Sequence, residues 1–356
     1  MRQIWLILAL SGCAFAQSPI LETVKKLQSF PVEDGNTDVA PELGRLHQQL
    51  KHQLRDFAIE AMTRGADIDT ELARKGIALS AKEGDPHYGQ ILKVAVDWKP
   101  NGLPTWAALK TTLGVMCGED SSLYLLERED TGWKVRLAAE SELKKDVSTA
   151  QGWPVYGFSK AGLDDRFVLV STNINPWCSS VWQTLRVAAY VIATGPNHAK
   201  RVFNEEKTIC IEDDVDVQVQ GDGFQVKYLG EMSLSPGNRR THIRRYALTE
   251  NGMKRVAPIA EGAQDFVDEW RSMPWDEAKM WSSADLAQWH ARLKTRENDD
   301  IAESPCTEPP ARWQVRVTTL PDDNVFAIVV QKDGAFFLQS MGTKPARGCP
   351  VPELGQ

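Results

Sequence analysis

The chain has few of the residue patterns that mark metal-binding and redox proteins. Its six cysteines include no C-x-x-C pair and its six histidines include no H-E-x-x-H motif, so the usual zinc and thioredoxin-like signatures are missing. The acidic run EDDVD at 212–216 lacks the later glutamate that a calcium loop requires. The sequence therefore predicts no metal site and no cofactor.

An excess of positive charge is also lacking. The chain has 41 lysines and arginines against 48 aspartates and glutamates, a formal net charge of −7. Proteins that bind nucleic acid in general carry a strongly basic surface. We therefore expect no nucleic-acid partner.

Long apolar runs are absent except at the N-terminus. Arg2 precedes the apolar segment IWLILAL (4–10), and Ala14-Phe15-Ala16 supplies the small-x-small pattern that signal peptidase requires. The run is far too short to span a bilayer of about 30 Å. The sequence predicts a signal peptide over 1–16, an extracytoplasmic protein that is periplasmic or secreted, and no transmembrane span.

A second cleavage site overlaps the first. Leu10-Ser11-Gly12-Cys13 resembles the lipobox of bacterial lipoproteins, in which the cysteine is acylated before cleavage. Cleavage after Ala16 would release the protein with Gln17 first, whereas cleavage before Cys13 would leave a lipid anchor. We expect free release, and lipidation of Cys13 is the alternative.

The N-terminal part of the mature chain is predicted to be helical. We expect a polar linker over 17–38 and a helical region over 39–88. Pro41 suits a first helical turn and Gly65 a helix end. Between them, apolar residues recur at the helical period of 3.6, at Leu43, Leu46, Leu50, Leu54, Phe57 and Ala61.

From 89 to 260 the pattern changes to that of strands. Leu92, Val94, Val96 and Trp98 alternate with less apolar residues, as in a half-buried strand. Several tight turns contain glycine where a hairpin favours a positive φ, at Gly132, Gly223, Gly252 and Gly334. This region predicts a β-rich domain of antiparallel hairpins, either a degenerate propeller-like body or a sandwich-like one.

A helical insertion is predicted over 261–297, before C-terminal hairpins over 298–350 complete the β-rich domain. The insertion is rich in tryptophan, with indoles at Trp270, Trp275, Trp281 and Trp289. An exposed set would form a stacking platform for sugars, but the helical spacing favours burial. The fold class is thus mainly β (α+β), with an N-terminal helix and a helical insertion.

Candidate catalytic motifs are weak. The segment GFSKA (157–161) approaches G-x-S-x-G without its last glycine, and Ser141 to Lys144 match S-x-x-K without the accompanying motifs. Hydrolysis of a glycan would need only two carboxylates across a cleft. The sequence cannot nominate them among its 48 acidic residues.

One basic cluster is a candidate binding site. Within seven residues the chain places Arg239, Arg240, His242, Arg244 and Arg245, which could bind an anionic surface or polymer. Neighbours on a strand point to opposite faces, so the cluster would divide into two smaller sets. A charged, solvated strand edge is the favoured interpretation.

Three segments support a wider resemblance. CGEDSSLYLLE (117–127), NPWCSSVWQ (175–183) and FVDEWRSMPWDEA (266–278) resemble a group of exported bacterial β-rich proteins of unknown function. The resemblance spans about residues 105–350. It implies an exported β-rich protein and brings no activity or ligand.

The five cysteines after the leader are expected to meet an oxidising compartment. Because five is odd, at least one thiol stays free or pairs between chains. We predict bridges Cys117–Cys178 and Cys306–Cys349, with Cys210 reduced between two isoleucines. A Cys178–Cys210 bridge is the rival pairing.

The leading hypothesis is an exported, non-catalytic binding or structural protein of the cell envelope. Its partner would be an envelope protein, a glycan or an anionic surface. The alternative is a secreted hydrolase that acts on a glycan or peptide through a carboxylate pair.

Overall fold

The protein is described by a computed structural model. It describes residues 18–31, 38–79, 87–116, 118–147, 150–152, 154–158, 166–174, 182–193, 199–210, 215–220, 223–231, 239–249, 252–294, 300–307, 311–319 and 323–353. The predicted signal peptide and Cys13 lie outside these ranges.

Six α-helices occur in the described residues: α1 (Pro19–Gln28), α2 (Pro41–Thr63), α3 (Ile68–Arg74), α4 (Ala263–Ser272), α5 (Trp275–Ala278) and α6 (Ala287–Lys294). The long helix α2 begins at Pro41 and ends just before Gly65, as predicted. None of these helices is both long and apolar enough to cross a membrane.

Helix α1 differs from the polar linker that we expected over 17–38. Ile20, Thr23 and Leu27 recur every three to four residues and are buried, because they pack toward α2 in the N-terminal core. Three residues are too few to stand out among the polar residues around them, so the composition concealed the helix.

Eighteen strands occur in the described residues: β1 (Asp38–Val39), β2 (Ile91–Trp98), β3 (Trp106–Val115), β4 (Gly118–Glu129), β5 (Gly132–Ala139), β6 (Lys145–Asp146), β7 (Val155–Phe158), β8 (Arg166–Ile174), β9 (Trp182–Ala193), β10 (Lys200–Cys210), β11 (Val215–Gln220), β12 (Gly223–Glu231), β13 (Arg239–Thr249), β14 (Gly252–Arg255), β15 (Asp300–Pro305), β16 (Arg312–Thr319), β17 (Asp323–Lys332) and β18 (Ala335–Gly342). The fold is mainly β with helices, as predicted.

The strands form four antiparallel sheets of four strands each, in the order of the chain. We call them the first sheet (β2–β5), the second (β7–β10), the third (β11–β14) and the fourth (β15–β18). Strands β1 and β6 form a separate two-stranded pair. The sheets do not close into a barrel.

Apolar side chains join the sheets and helices in layers. Helices α1 and α2 cover one face of the first sheet, and the second sheet packs on its other face. The second and third sheets share a further core. The helical insertion packs on the fourth sheet, and its helix α4 also contacts β13 of the third.

The turn glycines act in two ways. Gly132, Gly252 and Gly334 have the positive φ that we predicted. At Gly223 the cause is different, because a Cβ atom there would lie 2.1 Å from the carbonyl oxygen of Tyr246. This glycine is needed for the close approach of β12 to β13.

The tryptophans of the insertion belong to its core, as the helical spacing predicted. Trp270 is fully buried and donates a hydrogen bond of 3.0 Å from Nε1 to the carbonyl oxygen of Ala278. Trp281 is buried, and Trp275 and Trp289 are partly buried against the same core. They do not form an exposed platform.

A disulfide bond joins Cys306 and Cys349, the pair predicted from the sequence. It fastens the C-terminal segment to the end of β15. Gln314 holds the same segment, because its amide donates to Pro350 O at 2.8 Å and accepts from Ala346 N at 2.6 Å. The chain end is therefore fixed to the fourth sheet.

The other cysteine predictions are not tested. Cys117 and Cys178 lie outside the described residues, and Cys210 is described only as the last backbone position of β10.

Candidate functional site

A groove of 770 Å³ runs along helix α2. One wall is the exposed face of α2, and the other is part of a segment after β5 that we call the strap (residues 140–144). The described residues that line it are Val39, Pro41, Gly44, Arg45, Gln48, Gln49, His52, Gln53, Asp56, Glu142, Leu143 and Lys144.

Gly44 lets the strap approach the helix. A Cβ atom at this position would lie 2.4 Å from the carbonyl oxygen of Leu143, so any side chain would push the strap away. Val39 and Leu143 are both buried and make the floor of the groove apolar where the strap and helix meet.

The charged residues of the groove are paired with one another or with near neighbours. Lys144 forms an ion pair with Glu142. Asp56 accepts a hydrogen bond of 2.8 Å from Arg55, and Arg45 contacts Glu42 at 2.6 Å. The hydrogen bond from Lys144 lowers the pKa of Glu142. The groove therefore presents little uncompensated charge.

Three glutamine side chains line the α2 wall. The amide of Gln49 bonds both Thr23 and Arg45 at 3.3 Å. The Oε1 atoms of Gln48 and Gln53 are buried and have no hydrogen-bond partner among the described residues. An unpaired buried amide oxygen is costly, so these two side chains gain if they rotate to meet a donor.

A polar chain runs from the groove into the sheet. His52 Nε2 lies 3.0 Å from Gln48 Nε2 and 3.2 Å from Glu140 Oε1. Tyr124 donates a hydrogen bond of 2.7 Å to the other oxygen of Glu140. Burial, with the charge of Glu140, raises the pKa of Tyr124, so this hydroxyl remains a donor.

A second polar cluster lies on the buried face of α2, around Asp120 of β4. One oxygen of Asp120 lies 2.6 Å from Lys51 Nζ and 2.8 Å from His47 Nε2. The other accepts from Ser141 Oγ at 2.8 Å and from the backbone N–H of Gln151 at 2.9 Å. The cluster joins α2, β4 and the strap.

The environment of Asp120 fixes its charge. Burial alone would raise its pKa, but Lys51, His47 and the N–H of Gln151 lower it well below the usual range. Burial lowers the pKa of His47 more than Asp120 raises it. The cluster is therefore a carboxylate with an ammonium and a neutral imidazole that donates from Nε2.

The hydroxyl of Ser141, the first residue of the S-x-x-K match, contacts Lys51 and Asp120 in the core. It is held by Lys51 Nζ at 3.2 Å, and the same ammonium donates to the Ser141 carbonyl at 2.8 Å. Lys51 thus has an acceptor for each of its three protons, whereas a general base needs a free lone pair. The side chains of Lys51 and Asp120 are also fully excluded from solvent.

The predicted basic cluster lies on β13, and its side chains face different partners. Arg244 Nη1 lies 2.7 Å from Glu269 Oε1, and His242 Nδ1 lies 3.2 Å from Glu269 Oε2. Arg245 donates to the carbonyl of Ala257. Arg239 and Arg240 are described only as backbone positions. The three described side chains of this cluster, those of His242, Arg244 and Arg245, are not among the described residues that line the groove.

Glu269 of α4 is the shared partner of Arg244 and His242 in this network. It also contacts Arg255 Nη2 at 2.6 Å. Burial would raise the pKa of Glu269, but Arg244, His242 and Arg255 lower it. The network joins the helical insertion to the third sheet. Binding of a ligand by the basic cluster stays a prediction.

No group of three or more metal-ligating side chains occurs in the part of the chain that the structure describes. Comparisons with protein-family models and with curated proteins found no match for this chain. The resemblance to exported β-rich proteins therefore stays a prediction.

The polar cluster around Asp120 and the network around Glu269 were not predicted from the sequence. His47 and Lys51 lie four residues apart on the same apolar face as Leu43, Leu50 and Leu54. Two polar residues on a helix face that is otherwise apolar are a signal for a buried ion pair. Their partners, Asp120 and Ser141, are 73 and 90 positions away, which a sequence pattern does not show.

Proposed function

We propose that this protein is an exported, non-catalytic binding protein of the cell envelope that holds an extended segment of a partner protein in the groove along α2. The observation that carries the proposal is the chemistry of the groove. It combines an apolar floor with amide side chains and with charges that are already paired. Such a surface suits an uncharged peptide backbone with apolar side chains.

The size of the groove supports this class of partner. Its volume of 770 Å³ lies within the usual range for ligand sites. The lining residues extend from Pro41 to Asp56 of α2, which is about 22 Å at the helical rise of 1.5 Å per residue. An extended chain of about seven residues covers the same distance.

A glycan or an anionic surface fits less well. Among the described lining residues the only aromatic ring is that of His52, whereas stacking on sugars uses larger rings. The cations Arg45 and Lys144 both face carboxylates already. A polyanion would have to displace these partners.

A hydrolase is also less well supported. The groove contains the carboxylates of Asp56 and Glu142, each paired with a cation. A glycosidase needs one carboxylic acid with a raised pKa, but the pKa of Glu142 is lowered. Glu142 is therefore not poised to donate a proton near neutral pH.

The leader pattern over 1–16 supports export. Cleavage after Ala16 would leave Gln17 and Ser18 before α1 begins at Pro19. On this proposal the protein is free in the periplasm or outside the cell, and lipidation of Cys13 is the alternative.

Peptide selection tests the proposed groove. The processed protein is screened against a phage-displayed library of random linear peptides of about twelve residues, and the selected peptides are titrated by calorimetry. We expect peptides rich in apolar residues, without strong net charge. Recovery of no peptide above background would overturn the proposal.

A matched pair of variants locates the binding. Asp56→Trp fills the groove, while Glu60→Trp places the same side chain one helical turn further, outside it. The replaced side chains are 65% and 68% exposed, so neither change disturbs the core. We expect Asp56→Trp to weaken binding at least about tenfold and Glu60→Trp to leave it unchanged. Equal affinity for both variants would contradict the groove as the site.

A further inference from the structure

The Nε2 atom of His52 has two hydrogen-bond partners that require opposite protonation states of this atom. It lies 3.0 Å from the amide nitrogen of Gln48 and 3.2 Å from Glu140 Oε1. The amide nitrogen can only donate, so it needs a lone pair on Nε2. The carboxylate can only accept, so it needs a proton there.

These demands define two states of the groove. In one state Nε2 is unprotonated, and Gln48 is held against the imidazole. In the other state Nε2 carries a proton and donates to Glu140, and Gln48 loses its acceptor. The imidazolium always belongs to the second state, because both of its nitrogens carry protons.

We propose that protonation of His52 switches the groove, by transferring the imidazole from Gln48 to Glu140 and releasing the Gln48 amide toward the bound segment. The effect on binding rests on the proposed function of the groove. The switch itself concerns only this chain's own residues.

Gln48 is ready for such a release. Its Oε1 is buried without a hydrogen-bond partner among the described residues, so the held position leaves one end of the amide unsatisfied. The side chain lines the groove, and rotation into it gives both ends access to water or to a peptide backbone. Loss of the His52 acceptor removes the hydrogen bond that holds the amide nitrogen of Gln48 in place.

Charged and polar groups of the strap, β4 and α2 lie on one side of the His52 ring. Glu140 of the strap faces the ring directly, and Tyr124 of β4 donates to the same carboxylate. Arg55 of α2 lies over the Tyr124 ring, 5.7 Å from its centre. Its charge moderates the negative potential of Glu140.

The groove side of His52 is almost balanced. Asp56 of α2 is paired with Arg55, and Glu142 is paired with Lys144 on the strap. Glu140 is therefore the charged group that orients the imidazolium of His52, by accepting a hydrogen bond from its Nε2. His52 is 43% exposed on its side chain, so protons reach it from solvent.

The expected effect is tighter peptide binding at lower pH. Histidine changes charge between about pH 5 and pH 8. One additional hydrogen bond from a freed amide corresponds to about a three- to tenfold gain in affinity. We expect this gain for the selected peptides between about pH 8 and pH 5.5.

NMR on the free protein tests the switch without any ligand. The ring nitrogens of His52 and the side-chain amide of Gln48 are followed from about pH 8 to pH 5, with assignments from His52→Gln and Gln48→Met. We expect the Gln48 amide signals to move with the same midpoint as the His52 ring. Gln48 signals that stay constant while His52 titrates would overturn the proposal.

Binding measurements then test the consequence. With a selected peptide, we expect His52→Gln to give an affinity independent of pH. His87→Gln, at an exposed histidine outside the groove, should keep the wild-type dependence. If His52→Gln retains the full pH dependence, the switch is wrong while the groove stands. If no peptide binds but Gln48 follows His52, the proposed function fails and the switch stands.

Discussion

Lys51 Nζ lies 2.6 Å from Asp120 Oδ2, and neither side chain has any exposure to solvent. The pair joins helix α2 to strand β4, and Ser141 connects it to the strap. The strap is also one wall of the groove. The buried ion pair therefore supports the strap from the core side of the groove and does not contact a bound segment.

Removal of Asp120 should strongly destabilise the protein. Asp120→Ala leaves the buried Lys51 ammonium without its counter-charge and the His47 N–H without its acceptor, and breaking one partner of a buried pair costs about 3–5 kcal/mol. Urea denaturation followed by tryptophan fluorescence measures the loss. As a control, Glu42→Ala breaks an ion pair with Arg45 in which both side chains are more than half exposed, and its stability should not change measurably. A loss below about 1 kcal/mol for Asp120→Ala would contradict the role given to this pair.

The free energy of unfolding should fall as the pH is lowered below about 6.5. The pKa of His47 is lowered from 6.5 in the folded protein, so its contribution is full above that pH and is lost as the pH falls through the folded value. The lowered pKa of Asp120 adds a further loss below about pH 4. Urea titrations between pH 4 and pH 8 should show a weaker dependence for His47→Gln than for wild type. The exposed variant His87→Gln should keep the wild-type dependence, and an unchanged slope for His47→Gln would argue against a neutral buried imidazole.

Loss of Glu269 should separate the helical insertion from the third sheet. Glu269→Gln leaves Arg244 and Arg255 without their main counter-charge at sites where little of either side chain is exposed. We expect the free energy of unfolding to fall by about 3–5 kcal/mol and hydrogen exchange in α4 and β13 to accelerate. Glu261→Gln removes the exposed partner of Lys227 and should have little effect. Unchanged exchange in α4 would show that apolar packing alone holds the insertion.

Peptide mapping without reduction tests the cysteine pairing. We expect a Cys306–Cys349 fragment, a Cys117–Cys178 fragment and unmodified Cys210. The first bridge closes a loop with a sequence separation of 43, so the double variant with alanine at both positions should lose up to about 4 kcal/mol on the chain-entropy model. A Cys178–Cys210 fragment would overturn the second bridge.

The mass of the intact, exported protein tests the leader. We expect an N-terminus at Gln17 and no lipid. A mass that includes a diacylglyceryl group on Cys13 would establish the anchored alternative.

Local patterns carried most of the fold prediction. The apolar repeat from Leu43 to Ala61 correctly predicted α2, because a helix that covers a sheet needs one continuous apolar face. Alternation correctly predicted strands such as β2, and Gly334 has the predicted positive φ. These features depend on residues that are close in the sequence.

The groove could not be predicted in the same way. It forms where the strap crosses α2, and Gly44 meets Leu143 across 99 positions of the chain by their numbering. The basic residues on β13 did stand out, but their partner Glu269 comes from a different element. A charge pattern shows where charges lie along the chain and not which ones neutralise each other in the fold.

The order of the sheets has a consequence for how the chain folds during synthesis. Each sheet consists of consecutive strands, so each can close soon after its own residues emerge, without waiting for a distant segment. Arg244 and Arg255 emerge before Glu269 and meet this counter-charge only when α4 follows them, whereas Glu205, the other partner of Arg244, has emerged earlier. When the chain has emerged as far as about residue 260, three sheets can already be closed, while the ion pairs of Glu269 that join the third sheet to the helical insertion still have to form.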